Sequence, residues 1–178
     1  ATTGKFVTSQ VLTFALLVVF GGISIILRDP AFVMWKVSVL YVIFAAVLIG
    51  SNYIGSKTLL ERMMGKELQL PRNIWVNLTW FWSTGFIIIA IINAFFVNTA
   101  LSARNLFLNS GSIIDPKIDL KNFECSQSPL ESLCLIAQSS EESWVNFKLF
   151  GTLGLTLVLI IITVLMLSKH IKEKQTDS

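Results

Sequence analysis

The chain has 178 residues, 53% of them hydrophobic and only 14% charged, with a net charge of +3. Soluble domains average about 25% charged residues, so the composition excludes an ordinary water-soluble domain. The positive balance does not indicate nucleic-acid binding, because the basic residues stand at the ends of apolar runs, where lysine and arginine anchor membrane helices.

Four long stretches carry no charge: 22 residues between Lys5 and Arg28, 20 between Lys36 and Lys57, 31 between Arg72 and Arg104, and 20 between Lys148 and Lys169. A hydrocarbon core of about 30 Å needs roughly 20 helical residues at ~1.5 Å rise each. Only helices or closed barrels satisfy every backbone hydrogen bond in lipid, and these runs are continuously apolar rather than alternating. The predicted fold class is therefore all-α, a polytopic helical membrane protein with about four transmembrane helices and one short interfacial helix.

In chain order, the first crossing is expected over about 8–27, with Gly21 and Gly22 near its end as close-packing residues. The chain begins at Ala1 and reads as a processed product or a fragment; the run from Phe6 to Leu27 is too long for a signal-peptide h-region. Asp29 suits an N-cap and Pro30 a first helical position, so the second crossing, about 32–51, follows after a tight turn. The segment TLLERMMGKELQL puts Leu59, Leu60, Met63 and Met64 on one face and Lys57 and Glu61 off it. That pattern predicts an interfacial amphipathic helix over about 58–67. Pro71 then opens a third crossing, about 75–101, with Trp75, Trp80 and Trp82 near its start and Asn77, Asn93 and Asn98 within or beside it. An amide in lipid usually bonds to a neighbouring helix, which makes packing the expected role of Asn93; a substrate site is the alternative.

Residues 102–143 turn polar and are read as an extramembrane loop. Ser139-Ser140-Glu141-Glu142 resembles a capping box ahead of a fourth crossing over about 144–168, in which Gly151 suggests close helix contact. Four crossings place Lys5, Lys57, Arg62, Lys66, Arg72, Lys169, Lys172 and Lys174 on one side, against Arg28, Lys36, Arg104, Lys117, Lys121 and Lys148 on the other. Eight against six is a weak majority by itself under the lysine and arginine rule; taken with the cysteines of the 102–143 loop, it puts both ends in the cytoplasm and that loop in the periplasm. The only two cysteines, Cys125 and Cys134, fall in that loop, where an oxidising compartment would let them close a small ring; two free thiols are the alternative.

Two segments resemble one another: Phe32-Val33-Met34-Trp35-Lys36 and Trp144-Val145-Asn146-Phe147-Lys148. Each is expected to act as an interface anchor, with its aromatic ring in the headgroup region and its lysine reaching phosphate. The sharper alternative is a paired lipid or partner site using Trp35, Lys36, Trp144, Asn146 and Lys148, with Arg62 as a further contact. No Asp or Glu lies inside a crossing, His170 sits in the tail, and no zinc-spaced cluster, phosphate loop or nucleophile elbow is present in the sequence. No catalytic residue, metal or cofactor is expected.

The VVFGG of the first crossing, FVMWKVSVLY entering the second, LLERMMGKELQLP with Trp75 and Trp82 after it, Asn93, and WVNFKLFG over 144–151 occur in an order that resembles the intracellular septation protein A family. RMMGKELQLP and WVNFKLFG together carry most of the specificity. The chain departs from the family pattern twice: a further hydrophobic N-terminal segment is absent, and the polar 102–143 loop replaces a short connection. No family pattern bears on the cysteines, which lie in that insertion. The resemblance implies a non-enzymatic inner-membrane protein of cell envelope biogenesis and integrity, with effects on septation. It also implies contacts with membrane lipids and with division and wall-elongation proteins; homo-oligomers stay open. The alternatives are a small carrier or lipid-handling protein, expected to show broken helices meeting at the midplane, and, last, a membrane enzyme.

Overall fold

The computed structural model describes residues 30–65, 68, 70–111 and 118–176, with side chains described up to residue 168 apart from that of residue 127. The expected first crossing and Gly22 lie outside the described residues. The helices are α1 (Pro30–Ser51), α2 (Leu59–Met64), α3 (Arg72–Ser110), α4 (Glu131–Asn146) and α5 (Thr152–Thr176). A five-residue π-helical stretch, Phe147–Gly151, joins α4 to α5 without a break. Two 3-10 turns, Leu120–Asn122 and Cys125–Gln127, lie between α3 and α4.

Among the described residues, three helices are long and apolar enough to cross a membrane: Pro30–Ser51, Arg72–Ser110 and Glu131–Ser168. They run alternately up and down. On α1, Met34, Ser38, Ala45 and Leu48 are buried, and with half-buried Tyr41 they form a stripe at alternating four- and three-residue spacing. That seam packs on α3 in the geometry of left-handed helix pairs. In lipid the tails are as apolar as leucine, so such a seam is held by close packing and interhelical hydrogen bonds. Small residues supply the close approach: Ser38 and Ala45 on α1, and Ser83, Gly85, Ala90 and Ala100 on α3. Hydroxyls that would be orphaned in lipid bond their own helix, as Thr79 Oγ1 does to the Trp75 carbonyl (2.8 Å) and Ser83 Oγ to that of Thr79 (2.7 Å).

The α3–α5 crossing is tight at Gly85. A β-carbon there would stand 2.6 and 2.8 Å from the two methyl carbons of Leu159. Nearby, Trp82 Nε1 donates to Thr163 Oγ1 (3.1 Å), tying the same two helices. Gly85→Leu is therefore expected to wedge α5 away from α3 and to cost about 1–3 kcal/mol. Thermal unfolding in detergent reads the cost, and a cysteine pair across α3 and α5 that no longer crosslinks reads the separation.

The helix expected over about 58–67 is described over Leu59–Met64; residues 66 and 67 lie outside the described residues. Buried Thr58 caps it, its hydroxyl accepting from Glu61 N (3.2 Å). Leu59, Leu60 and Met64 turn toward the bundle, whereas Met63 is 72% exposed.

The largest difference from the sequence reading is at 102–143. Helix α3 continues nine residues past Leu101, to Ser110, and α4 starts at Glu131. At ~1.5 Å per residue the 39 residues of α3 span ~58 Å, well over the hydrocarbon thickness. The segment read as a loop is thus two helical extensions with a short folded cap between them. The capping-box reading of Ser139 does not hold either: it lies inside α4, with its hydroxyl on the Ile136 carbonyl (3.1 Å).

Candidate functional site

Three places concentrate polar and aromatic side chains, and all three lie where helices meet. The first is the junction of α1, α3 and α4. Asn93, wholly buried in α3, donates from Nδ2 to Ser38 Oγ of α1 (2.8 Å), and Ser38 Oγ donates on to the Ala90 carbonyl (3.2 Å). An amide N–H and a hydroxyl thus link the two helices in an apolar seam, while Asn93 Oδ1 is buried with no hydrogen-bond partner among the described residues. Asn77 and Asn98 point outward and are exposed. Toward the cap, Met34, Val97, Ala100 and Trp144 form one buried cluster.

The two aromatic-lysine segments meet at that cluster, through Met34 of one and Trp144 of the other. They are not equivalent. Trp35 is 41% exposed whereas Trp144 is 6% exposed. Lys36 lies two residues from Met34, ~200° around the helix, on the side of α1 turned away from α3. Lys148 places its ammonium 5.1 Å from the centre of the Trp144 ring, a cation–π contact. Asn146 is exposed. Phe147 stacks on Phe96 of α3 (4.8 Å between centroids, 16° between planes). Gly151 completes the arrangement, because a β-carbon there would come within 2.4 Å of the Phe147 ring. The π-helical stretch from Phe147 to Gly151 is the local rewinding that accompanies this ring placement, and such bulges recur at functional positions.

The second place is the cap. Phe107, Leu108, Leu120, Cys125, Cys134 and Ala137 form its buried core, with Phe123 edge-on to Phe107 (5.7 Å). Cys125 and Cys134 are joined by a disulfide with Cα atoms 5.6 Å apart. Arg104, 4% exposed, donates to Glu141 Oε1 (2.7 Å) and to the Ile118 carbonyl. Gln138 Nε2 bonds the carbonyls of Leu120 and Phe123 (2.6 and 2.9 Å), so α4 holds the backbone of the turns directly. Closing a ring of about ten residues by a disulfide contributes ~2–3 kcal/mol. Reduction, or Cys134→Ser, is expected to lower the unfolding temperature of the cap and to speed its proteolysis while the helix content of the bundle is kept.

The third place is the turn joining α1 to α2. Gly55 adopts a positive φ of 93°, and a β-carbon there would stand 2.5 Å from Arg62 Nη2. The Arg62 guanidinium lies across the turn, bonding the carbonyls of Ile54 (3.0 Å) and Lys57 (3.2 Å). Arg72 Nη1 reaches the Ser56 carbonyl (2.7 Å). Beside this turn a cavity of about 540 Å³ opens between α1, α2, α3 and α5, lined by side chains such as Phe44, Leu60, Trp82, Phe86 and Val164.

Among the described residues no group of three His, Cys, Asp or Glu side chains could hold a metal ion. The sequence reading had not singled out Ser38, Arg104, Glu141 or Gln138 as site residues. Arg104 and Glu141 carried a signal, being opposite charges at 37 residues' separation flanking a polar segment. Ser38 carried none.

Helices of this length and apolarity define an α-helical membrane protein. The family model for intracellular septation protein A matches residues 1–105 and 130–174. Two similar proteins are both called inner membrane-spanning protein YciB. That of Shewanella oneidensis is 33% identical over 171 residues, covering 96% of this chain and 72% of its own length. That of Burkholderia pseudomallei strain K96243 is 35% identical over 162 residues, covering 91% and 70%. No solved structure matches. The chain belongs to the intracellular septation protein A family. The stretch that the family model passes over, 106–129, is the segment that supplies Phe107, Leu120 and Cys125 to the cap.

Proposed function

We propose that this chain is a non-enzymatic protein of the bacterial inner membrane that supports envelope biogenesis, integrity and septation through contacts with other membrane proteins. Membership of the septation protein A family along both matched stretches carries this reading. The chemistry of the described residues supports it. Three polar pairs link helices, Arg104 with Glu141, Asn93 with Ser38 and Trp82 with Thr163, which is how side chains that hold helices together behave. The same reading puts the cap on the periplasmic side and both ends in the cytoplasm; a disulfide suits an oxidising compartment, and the excess of lysine and arginine on the α2 side supports that orientation.

Mild crosslinking in native membranes followed by purification tests the contact role. Division or wall-elongation membrane proteins should accompany the intact chain; retention of bulk lipid alone contradicts it. The cavity beside α2 favours a second reading, a lipid-handling protein. Lipid transfer by the purified protein between the leaflets of proteoliposomes would establish that second reading and displace the first.

A further inference from the structure

Two apolar grooves adjoin at the α2 end of the bundle. One is the 540 Å³ cavity between α1, α2, α3 and α5. The other, about 510 Å³, runs along the opposite flank of α1, from Ile43 past Ala46 and Gly50 to Ile54. Val47 and Leu59 line both, forming the ridge between them. The second groove ends at Arg62.

Their depth is informative. Along α3 the first runs from Leu78 to Phe86, and along α1 the second runs from Ile43 to Ser51 before reaching Ile54 in the turn; the rise over eight residues is ~12 Å in each. Half of a hydrocarbon core of about 30 Å is ~15 Å. Each groove therefore spans one leaflet, with its polar end at the headgroup level. At that level stand Lys57, Arg62 and Arg72 against Glu61, whose carboxylate lies 3.9 Å from Lys57. Arg62 is exposed and spends only Nε and Nη2 donors on the turn carbonyls, which leaves its Nη1 edge open for a bidentate acceptor. Its position is fixed by Gly55, since any β-carbon there would collide with the guanidinium.

We propose that this is a binding site for one diacyl phospholipid of the adjacent leaflet. Its two chains straddle the Val47–Leu59 ridge, and its phosphate is held by Arg62. The pairing of two leaflet-deep grooves with one cation at their shared end fits this occupant and neither a single-chain amphiphile nor a free anion. The inference rests on the membrane setting of the helices and is independent of the envelope role.

The test is titration of the delipidated full chain in detergent with palmitoyl-oleoyl phosphatidylglycerol, read by native mass spectrometry. One lipid per chain should bind. Arg62→Gln and Val47→Trp should each weaken binding about tenfold, as expected for loss of one charge-assisted hydrogen bond or of one chain's groove. Leu153→Trp, on an exposed face of α5 away from both grooves, should leave it unchanged. Where Val47→Trp fails to retain the helix content of the parent, Ala46→Phe, which obstructs the second groove alone, takes its place with the same expectation. Equal affinity in the groove and control variants overturns the proposal. So does displacement of the phospholipid by palmitate alone or by inorganic phosphate alone at comparable concentration.

Discussion

Replacing Glu141 by alanine is expected to destabilise the cap by about 3 kcal/mol, because it removes the carboxylate paired with the guanidinium of Arg104 in a site where only 4% of that residue meets solvent. The figure is the lower end for a broken buried pair, since the Glu141 side chain keeps 19% exposure. The pair lies at the base of the extramembrane extension, where α3 leaves the bundle and α4 returns, and Arg104 also takes the Ile118 carbonyl from the cap itself. Losing the carboxylate therefore weakens the contact between the two helices and the anchorage of the cap together. The double variant Arg104→Met with Glu141→Leu should recover most of the loss, because two apolar side chains leave no charge to desolvate. Thermal unfolding of the two single variants Arg104→Met and Glu141→Leu beside the double completes the cycle. A single variant as stable as the parent would mean that the pair does not hold the cap.

Phe107→Ala is expected to cost about 3–5 kcal/mol, the range for truncating a fully buried phenylalanine. The ring packs edge-on to Phe123 within the cap core. Its environment decides the size of the effect. Outside the bilayer the alternative to burial is water, so the full hydrophobic contribution is at stake. Ile91, by contrast, is 63% exposed on the membrane-facing surface of α3, where lipid tails replace the lost contacts. Ile91→Ala should therefore shift unfolding very little, although it too removes a large aliphatic group. Limited trypsin digestion reads the Phe107 effect locally, since the cap carries Lys121 and lies within reach of Arg104.

The contrast between these two residues also explains how far the sequence could be read. The three crossings among the described residues were legible because an unbroken charge-free run has few structural meanings, and the observed spans of α1 and α3 begin at Pro30 and just after Pro71 for reasons of proline geometry visible in the chain. The cap was not legible, because composition alone made 102–143 look like a loop. Its helicity rests on two long-range facts. Arg104 continues α3 out of the membrane because Glu141 neutralises it from 37 residues away. The α4 helix is amphipathic only when Cys134, Ala137, Glu141 and Trp144 are read together at three- and four-residue spacing, a stripe that the polar run Ser139-Ser140-Glu141-Glu142 obscured by putting one of its members among like residues. At the α1–α3 seam, Asn93 stood out as an amide in an apolar run, but its partner Ser38 is a residue type too common to signal anything by itself. The pairing of Met34 with Trp144 was half visible: the likeness of the two segments marked them, yet the lysines drew notice before the apolar residues that meet.

The separation between a family scaffold and an added cap has a functional consequence. The family model covers both sides of the extension but passes over 106–129, so the matched bundle and the cap can be altered separately. Asn93, Ser38, Gly85 and the Phe96–Phe147 stack belong to the matched part, whereas Phe107, Leu120 and Cys125 belong to the added part.

The most direct test of the proposed role is complementation. A Gram-negative strain deleted for its own family member, and showing envelope fragility or a septation defect as a result, is supplied with this chain at matched expression. The parent chain should restore cell length and detergent resistance, and Gly85→Leu should lose that restoration. A parent chain that inserts in the inner membrane at normal abundance and restores neither property would contradict the proposed role.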